Sequence, residues 1–369
     1  MILKEVVSLY SYQDEYYNGQ LDLEGCLRET AKTGATGVEL LAEQMIKRFP
    51  LPIETQEFRD HWFEMLKKYN LEPSCYDAFL ENHIYDNRTL CLGEQINMMK
   101  RDIRLASLLG FKNLRTLVST PMDVIEGSLE YAEKMDVKIG LEVHAPFSLN
   151  SGWADGYMEM INRTGTKYFG FIPDMGIFCK NIPDVLRDKA RRAGAKEECL
   201  KIVDDAYAQR VEKGFVKIKY DLNLGKANTE YRMANGMKEM MDAVEKAGGG
   251  PADMMYAGSS FTYSWSDPQD IIDNIDYIYH THAKFYNVSE DYKETAVAIP
   301  EVVEAFKKAG YKGYLSSEYE GGEHLRQDME VDSIEQVRRH QEALRRAIGE
   351  RKIFCVYGKN SSLIRNRYV

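Results

Sequence analysis

Short apolar runs recur along the chain, each followed by a stretch whose apolar residues return every three or four positions. The runs at 6–12 (VVSLYSY), 37–41 (GVELL), 71–79 (LEPSCYDAF), 113–119 (NLRTLVS), 138–144 (KIGLEVH), 168–176 (YFGFIPDMG), 277–285 (YIYHTHAKF) and 314–320 (YLSSEYE) read as buried strands. The stretches between them predict helices over 21–33, 54–69, 94–109, 122–135, 156–163, 299–308 and 333–348. In the second of these, Phe58, Trp62, Met65 and Leu66 share one face, and Gly110 stands where the third should end. Strands alternating with helices are the signature of parallel β-α units. Alternation alone also fits an open doubly wound sheet. The chain has neither G-x-G-x-x-G nor G-x-x-x-x-G-K-[ST], so an eight-stranded (β/α)8 TIM barrel is the better expectation. In such barrels the active site lies at the C-terminal ends of the strands.

The rhythm breaks once. From Asp174 to His282 the chain is far longer than one helical crossover needs, and 184–213 and 229–247 look helical and highly charged, with GGGP at 248–251 marking the exit. The expectation is one domain over 1–369, with a helical insertion at about 180–250 between strands 6 and 7 and a basic, polar tail at about 350–369. The insertion reads as padding, a lid or a subunit contact.

Composition narrows the function. The chain is 44% hydrophobic and 29% charged with a net charge of -10, and no basic stripe is evident, which argues against a nucleic-acid binder. The cysteines Cys26, Cys75, Cys91, Cys179, Cys199 and Cys355 are scattered without a C-x-x-C pair, so reduced core thiols are expected. No run approaches the roughly 20 apolar residues of a membrane span. The opening MILKEVVSLYSY has no signal-peptide pattern, so a cytoplasmic location and no membrane association are expected.

Ionisable residues mark the ends of the last four strands: Glu142, Asp174, His282 and Glu318. Three carboxylates converging at one barrel mouth repel each other unless a cation joins them. Oxygen-rich ligation with one imidazole favours Mn²⁺, with Mg²⁺ or Co²⁺ as alternatives, over a thiolate zinc site. His144 lies two residues beyond Glu142 on the same side of the strand. An imidazole titrates near neutral pH, so it is a candidate base, with ligand orientation as the competing role. Tyr10, Arg115, Trp265 and Lys284 are weaker candidates for substrate contact, and Glu39 and Asp77 are further polar residues near strand ends.

The Glu of LEVH, the Asp of IPD, the H-x-H-x-K of HTHAK and the Glu of SSEYE resemble the xylose-isomerase-like sugar isomerase/epimerase family, over most of the chain from residue 6 to about 348. That resemblance implies that Glu142, Asp174, His282 and Glu318 bind one divalent metal, with the second histidine of H-x-H as the ligand, and that Glu142 and Glu318 double as acid/base groups. Relatives that epimerise ketoses often carry a histidine three residues after the metal aspartate, where this chain has Ile177. His144, the opening VSLYSYQDEYY and the insertion look most like the large (alpha) subunit of bacterial C-glycoside deglycosidases. This implies a carbon–carbon lyase acting on 3-oxo C-glycosides with a small β-rich partner subunit. A metal-dependent ketose isomerase or epimerase is the alternative. A multi-zinc nuclease of related fold would want more than seven histidines and a basic groove.

Overall fold

The apolar runs pair side by side in one parallel sheet. The computed structural model describes residues 3–46, 55–219, 221, 224–322, 329 and 331–349; the predicted tail at 350–369 and Cys355 lie outside them. The strands are β1 Lys4–Ser8, β2 Gly37–Leu41, β3 Glu72–Asp77, β4 Asn113–Thr116, β5 Lys138–Val143, β6 Phe169–Pro173, β7 His282–Phe285 and β8 Tyr314–Tyr319. Their order is β6-β5-β4-β3-β2-β1-β8-β7, and every pair is parallel. The two ends of this series meet through isolated parallel bridges, Phe171 with Ile278 and Asp174 with His282, which complete the circuit of a TIM barrel. Apart from the half-buried Lys4, Glu72, Pro73, Lys138 and Tyr314 at their starts, the strand residues are buried, as expected where helices cover the outside and side chains fill the inside.

The helices form where the periodicity puts them. Asp22 caps Leu23–Lys32 by accepting from Gly25 N at 2.7 Å, and Thr55 caps Gln56–Tyr69. The latter buries Trp62, Met65 and Leu66 and leaves Phe58 half-buried. Helices Ile299–Lys308 and Ser333–Ile348 match their predicted bounds. Differences fall where local chemistry interrupts a period. The first strand stops at Ser8 and turns into a 3₁₀ segment, Leu9–Tyr12. The stretch at 122–135 is two helices, Met122–Glu126 and Leu129–Met135, broken at Gly127. Only the second half of the YIYHTHAKF run is strand. Cys91 is exposed, whereas Cys26, Cys75, Cys179 and Cys199 are buried free thiols.

Between β6 and β7 run five longer helices: Asp184–Arg192, Glu197–Lys213, Leu224–Ala234, Met237–Lys246 and Pro251–Ser259. The GGGP stretch does not end the helical segment. Gly250 and Pro251 begin its last helix, with Pro at the first turn, where its missing N–H costs nothing. No helix among the described residues is long and apolar enough to cross a membrane.

Two features of this framework are testable. At the β6–β7 seam, a Cβ on Gly170 would lie 2.3 Å from the Tyr277 carbonyl oxygen, too close for any side chain. Gly170→Ala is therefore expected to lower stability by roughly 1–3 kcal/mol, read as a fall in the urea midpoint; an unchanged midpoint refutes the tight seam. Behind β8, His340 is fully buried, bonded to Ser317 Oγ at 2.7 Å and stacked on Phe285 with centroids 3.9 Å apart. Burial lowers its imidazole to about 3, against an ordinary 6.5. Between those values the unfolded chain binds a proton that the folded chain refuses. Its contribution is intact above about pH 6.5 and is lost as pH falls toward 3. His340→Gln should flatten the acid limb of the unfolding free energy between pH 6.5 and 4 by roughly 3 kcal/mol. A variant-minus-wild-type difference independent of pH contradicts this.

Candidate functional site

Strand register assembles the site. β3 and β4 pair Asp77 with Arg115, β7 and β8 pair Lys284 with Glu318, and the seam bridge sets Asp174 beside His282. Glu142 follows two residues after Gly140, which pairs with Arg115. Residues far apart in sequence thus converge because parallel strands of a barrel end together.

At the centre, His282 Nδ1 lies 2.9 Å from Glu142 Oε1 and 3.3 Å from Glu318 Oε1, and its Nε2 lies 2.7 Å from Glu39 Oε1. Glu39 Oε2 in turn meets His280 Nε2 at 2.7 Å. Arg115 is wedged among carboxylates, 3.1 Å from Glu142, 3.7 Å from Asp77 and 3.9 Å from Glu318, with its guanidinium over the Phe79 ring. Lys284 pairs with Asp174, lies 3.0 Å from Glu320 and comes within 3.8 Å of Glu318.

Electrostatics follow from this packing. Burial alone would raise the Glu142 carboxyl, but Arg115 and His282 outweigh it and hold the group well below its ordinary value. Glu39 is likewise lowered by His282 and His280 against its burial. Asp77 is pushed well up by its burial and by the neighbouring Glu39 carboxylate. Burial raises Asp174 to about 6, with Lys284 opposing. Burial would lower the His282 imidazole, yet Glu318, Glu39 and Glu142 together lift it well above normal. A buried ring within 3.3 Å of three carboxylates marks a place that needs positive charge.

That is the test of fit for a divalent cation. Glu142, His282 and Glu318 each offer a ligand atom, and these atoms all lie within 4.8 Å of one another. Glu318 Oε2 is buried without a hydrogen bond. Glu39, Asp77, Glu142, Asp174 and Glu318 are all buried. Arg115, Lys284, a proton on Asp77 and one divalent ion would neutralise them. Asp174 stands outside the tight trio. One of its oxygens accepts from Gly176 N at 2.7 Å and the other is taken by Lys284, so joining a cation would require Lys284 to let go.

Above this floor opens a cavity of about 560 Å³ whose lining includes Glu142, His144, Asp174, Glu318, Arg115, Lys284 and Tyr10. His144 is half-buried, with Nδ1 2.9 Å from the carbonyl oxygen of Ala145. A carbonyl can only accept, so Nδ1 carries a proton, and in the neutral ring Nε2 is then the nitrogen with the lone pair. Trp265, expected to touch substrate, lies outside the lining of this cavity. The helix Pro251–Ser259 carries the chain past the mouth first, and Trp265 then bridges to Phe178 and lines a separate cavity of about 350 Å³. Tyr12 is buried and Tyr17 exposed, so of the tyrosines near the first strand Tyr10 is the one in the pocket. Sequence reasoning undervalued Glu39. The signal was there: a carboxylate inside the wholly buried strand GVELL, the same oddity that singled out Glu142.

No protein-family profile matches the sequence. The C-glycoside deglycosidase alpha subunit of Arthrobacter globiformis is 29% identical over 350 residues, covering 93% of this chain and 92% of the relative. The 3'-dehydrocarminate deglycosidase alpha subunit of a Microbacterium species is 27% identical over 347 residues, covering 93% and 95%. The chain is similar to deglycosidase alpha subunits along almost all of its length. D-allulose 3-epimerase from a Methylomonas species superposes with a TM-score of 0.51 at 11% identity, over 94% of this chain and 98% of that one. A xylose isomerase domain protein from Alicyclobacillus acidocaldarius does so at 0.52 and 10%, over 94% and 99%. At such identities the structural likeness speaks for the fold alone. The resemblance drawn from the sequence motifs, the barrel and the reading as an enzyme all agree with these relatives.

Arg115 offers a direct check on the charge balance. Arg115→Met leaves Glu142 and Asp77 without their shared cation, and a loss of roughly 3–5 kcal/mol is expected from chemical denaturation. Added Mn²⁺ should restore more stability to this variant than to the wild type. Equal responses contradict the balance.

Proposed function

We propose that the chain is the large subunit of a divalent-metal-dependent lyase that cleaves the carbon–carbon bond of 3-oxo C-glycosides. The observation that carries this reading is His144. Its ring lines the same cavity as Glu142 and Glu318, with His282 buried directly behind those two carboxylates, in a chain similar along almost all of its length to two deglycosidase alpha subunits. A divalent ion, Mn²⁺ by donor type, would be held by Glu142, His282 and Glu318, with Asp174 as the fourth ligand, and would supply Lewis-acid polarisation of a sugar carbonyl.

The chain's own groups do the rest. His144 Nε2 takes the proton from C2 of the 3-oxo sugar, and the electron pair moves onto the C3 oxygen. Arg115 and Lys284 supply buried positive charge beside that developing enediolate. When the C3 carbonyl re-forms, a C1–C2 double bond forms and the C1–aglycone bond breaks. The departing carbon keeps the bonding pair and takes up one proton, so the C2 proton balances the reaction and no water is consumed. Glu142 and Glu318 hold the oxygens of the sugar's C2–C3 edge in register. A partner subunit, which the relatives' name of alpha subunit implies, belongs to this proposal, and so do its small β-rich build and a cytoplasmic location.

A second reading, a ketose isomerase or epimerase, draws on the same pair of acids, Glu142 and Glu318, on either side of His282. It is disfavoured by Ile177, a fully buried aliphatic residue at the position where ketose epimerases often have histidine.

The deciding assay incubates the protein, in the complex in which it purifies, with Mn²⁺ and either a 3-oxo C-glucoside or free ketoses. Aglycone release is expected from the first, abolished by Glu142→Gln and slowed about 10²–10⁴-fold by His144→Ala. Turnover of ketoses with no aglycone released leaves only the second reading.

A further inference from the structure

We infer that Glu39 is a positioning residue of the metal centre, the group that fixes which nitrogen of His282 faces the ion; this rests on the metal reading above. Glu39 is the middle residue of the second strand's buried run and is fully enclosed. Its two oxygens serve two rings: Oε2 is hydrogen-bonded to His280 Nε2 at 2.7 Å, and Oε1 lies 2.7 Å from His282 Nε2, an ion-pair contact in which the carboxylate favours a proton on that nitrogen. The opposite nitrogen of His282, Nδ1, points to Glu142 and Glu318. The two nitrogens of an imidazole leave the ring along different edges. A cation held by Nδ1 with Glu142 and Glu318 is therefore on the far side of the ring from Glu39. Neither Glu39 nor His280 lines the cavity, so substrate does not touch them and Glu39 acts only through His282.

The arrangement also gives H-x-H a division of labour. Both rings project into the barrel, 5.9 Å apart and nearly perpendicular. His280 anchors the carboxylate, the carboxylate anchors His282, and His282 presents Nδ1. A carboxylate behind a ligating imidazole fixes its tautomer and raises its basicity, and losing such a partner typically weakens metal binding 10–100-fold. Glutamine at 39 keeps the volume but offers an amide N–H to one of the two rings, where a second donor clashes with the ring's own N–H.

The test measures Mn²⁺ binding to the full chain by calorimetry, with bound ion counted by electron paramagnetic resonance and ¹⁵N shifts of labelled histidine as the tautomer readout. The wild type should bind one ion per chain. Glu39→Gln should bind it 10–100-fold more weakly, with the His282 nitrogens shifting toward a mixture of tautomers. Should that variant not fold, His280→Gln leaves Glu39 on His282 alone and is expected to weaken binding several-fold. Wild-type affinity in Glu39→Gln, or in His280→Gln where that variant stands in for it, overturns the inference. So does a stoichiometry of two, because Glu39 would then be a ligand with Asp77 and His282 Nε2. If the wild type binds no ion, the metal reading itself fails. If it binds one and the variant binds it equally well, only the positioning role fails.

Discussion

The structure depends on balancing charge where water cannot reach. Glu39, Asp77, Glu142, Asp174 and Glu318 are buried together, toward the C-terminal ends of the barrel strands. An isolated carboxylate there would cost several kcal/mol. Arg115 and Lys284 answer part of that cost, and the three carboxylates gathered on His282 show where the remainder is needed. A site organised this way gathers oxygen and nitrogen donors of the kind a cation takes.

Most of the fold was legible because its causes are local. The strand GVELL and the helices 299–308 and 333–348 carry their period and their caps in consecutive residues, and they form where expected. The misses are of two kinds. Gly127 and the Ala193–Gly194 step split predicted single helices because a glycine relaxes a turn that apolar spacing alone would continue. The first half of YIYHTHAKF is held at the seam by bridges to β6, and nothing in that run announces a partner more than a hundred residues away.

The candidate site divides in the same way. Glu142, Asp174, His282 and Glu318 could be picked out since an ionisable residue ending an apolar strand is conspicuous in one dimension. Their mutual distances could not, because these depend on register between strands. Lys284's hold on Asp174 is a product of that register, as is the wedge of Arg115 between Asp77 and Glu142. Trp265 shows the converse: the path of the loop carries a residue that precedes the seventh strand to another cavity.

The helices between β6 and β7 contribute Leu186, Lys189, Met255 and Ser259 to the cavity, while the ionisable floor comes from the barrel strands. The two halves of the pocket are encoded in separate parts of the gene. Descendants can therefore vary the outer wall freely, exploring new guest molecules, with the reactive groups inherited unchanged beneath it.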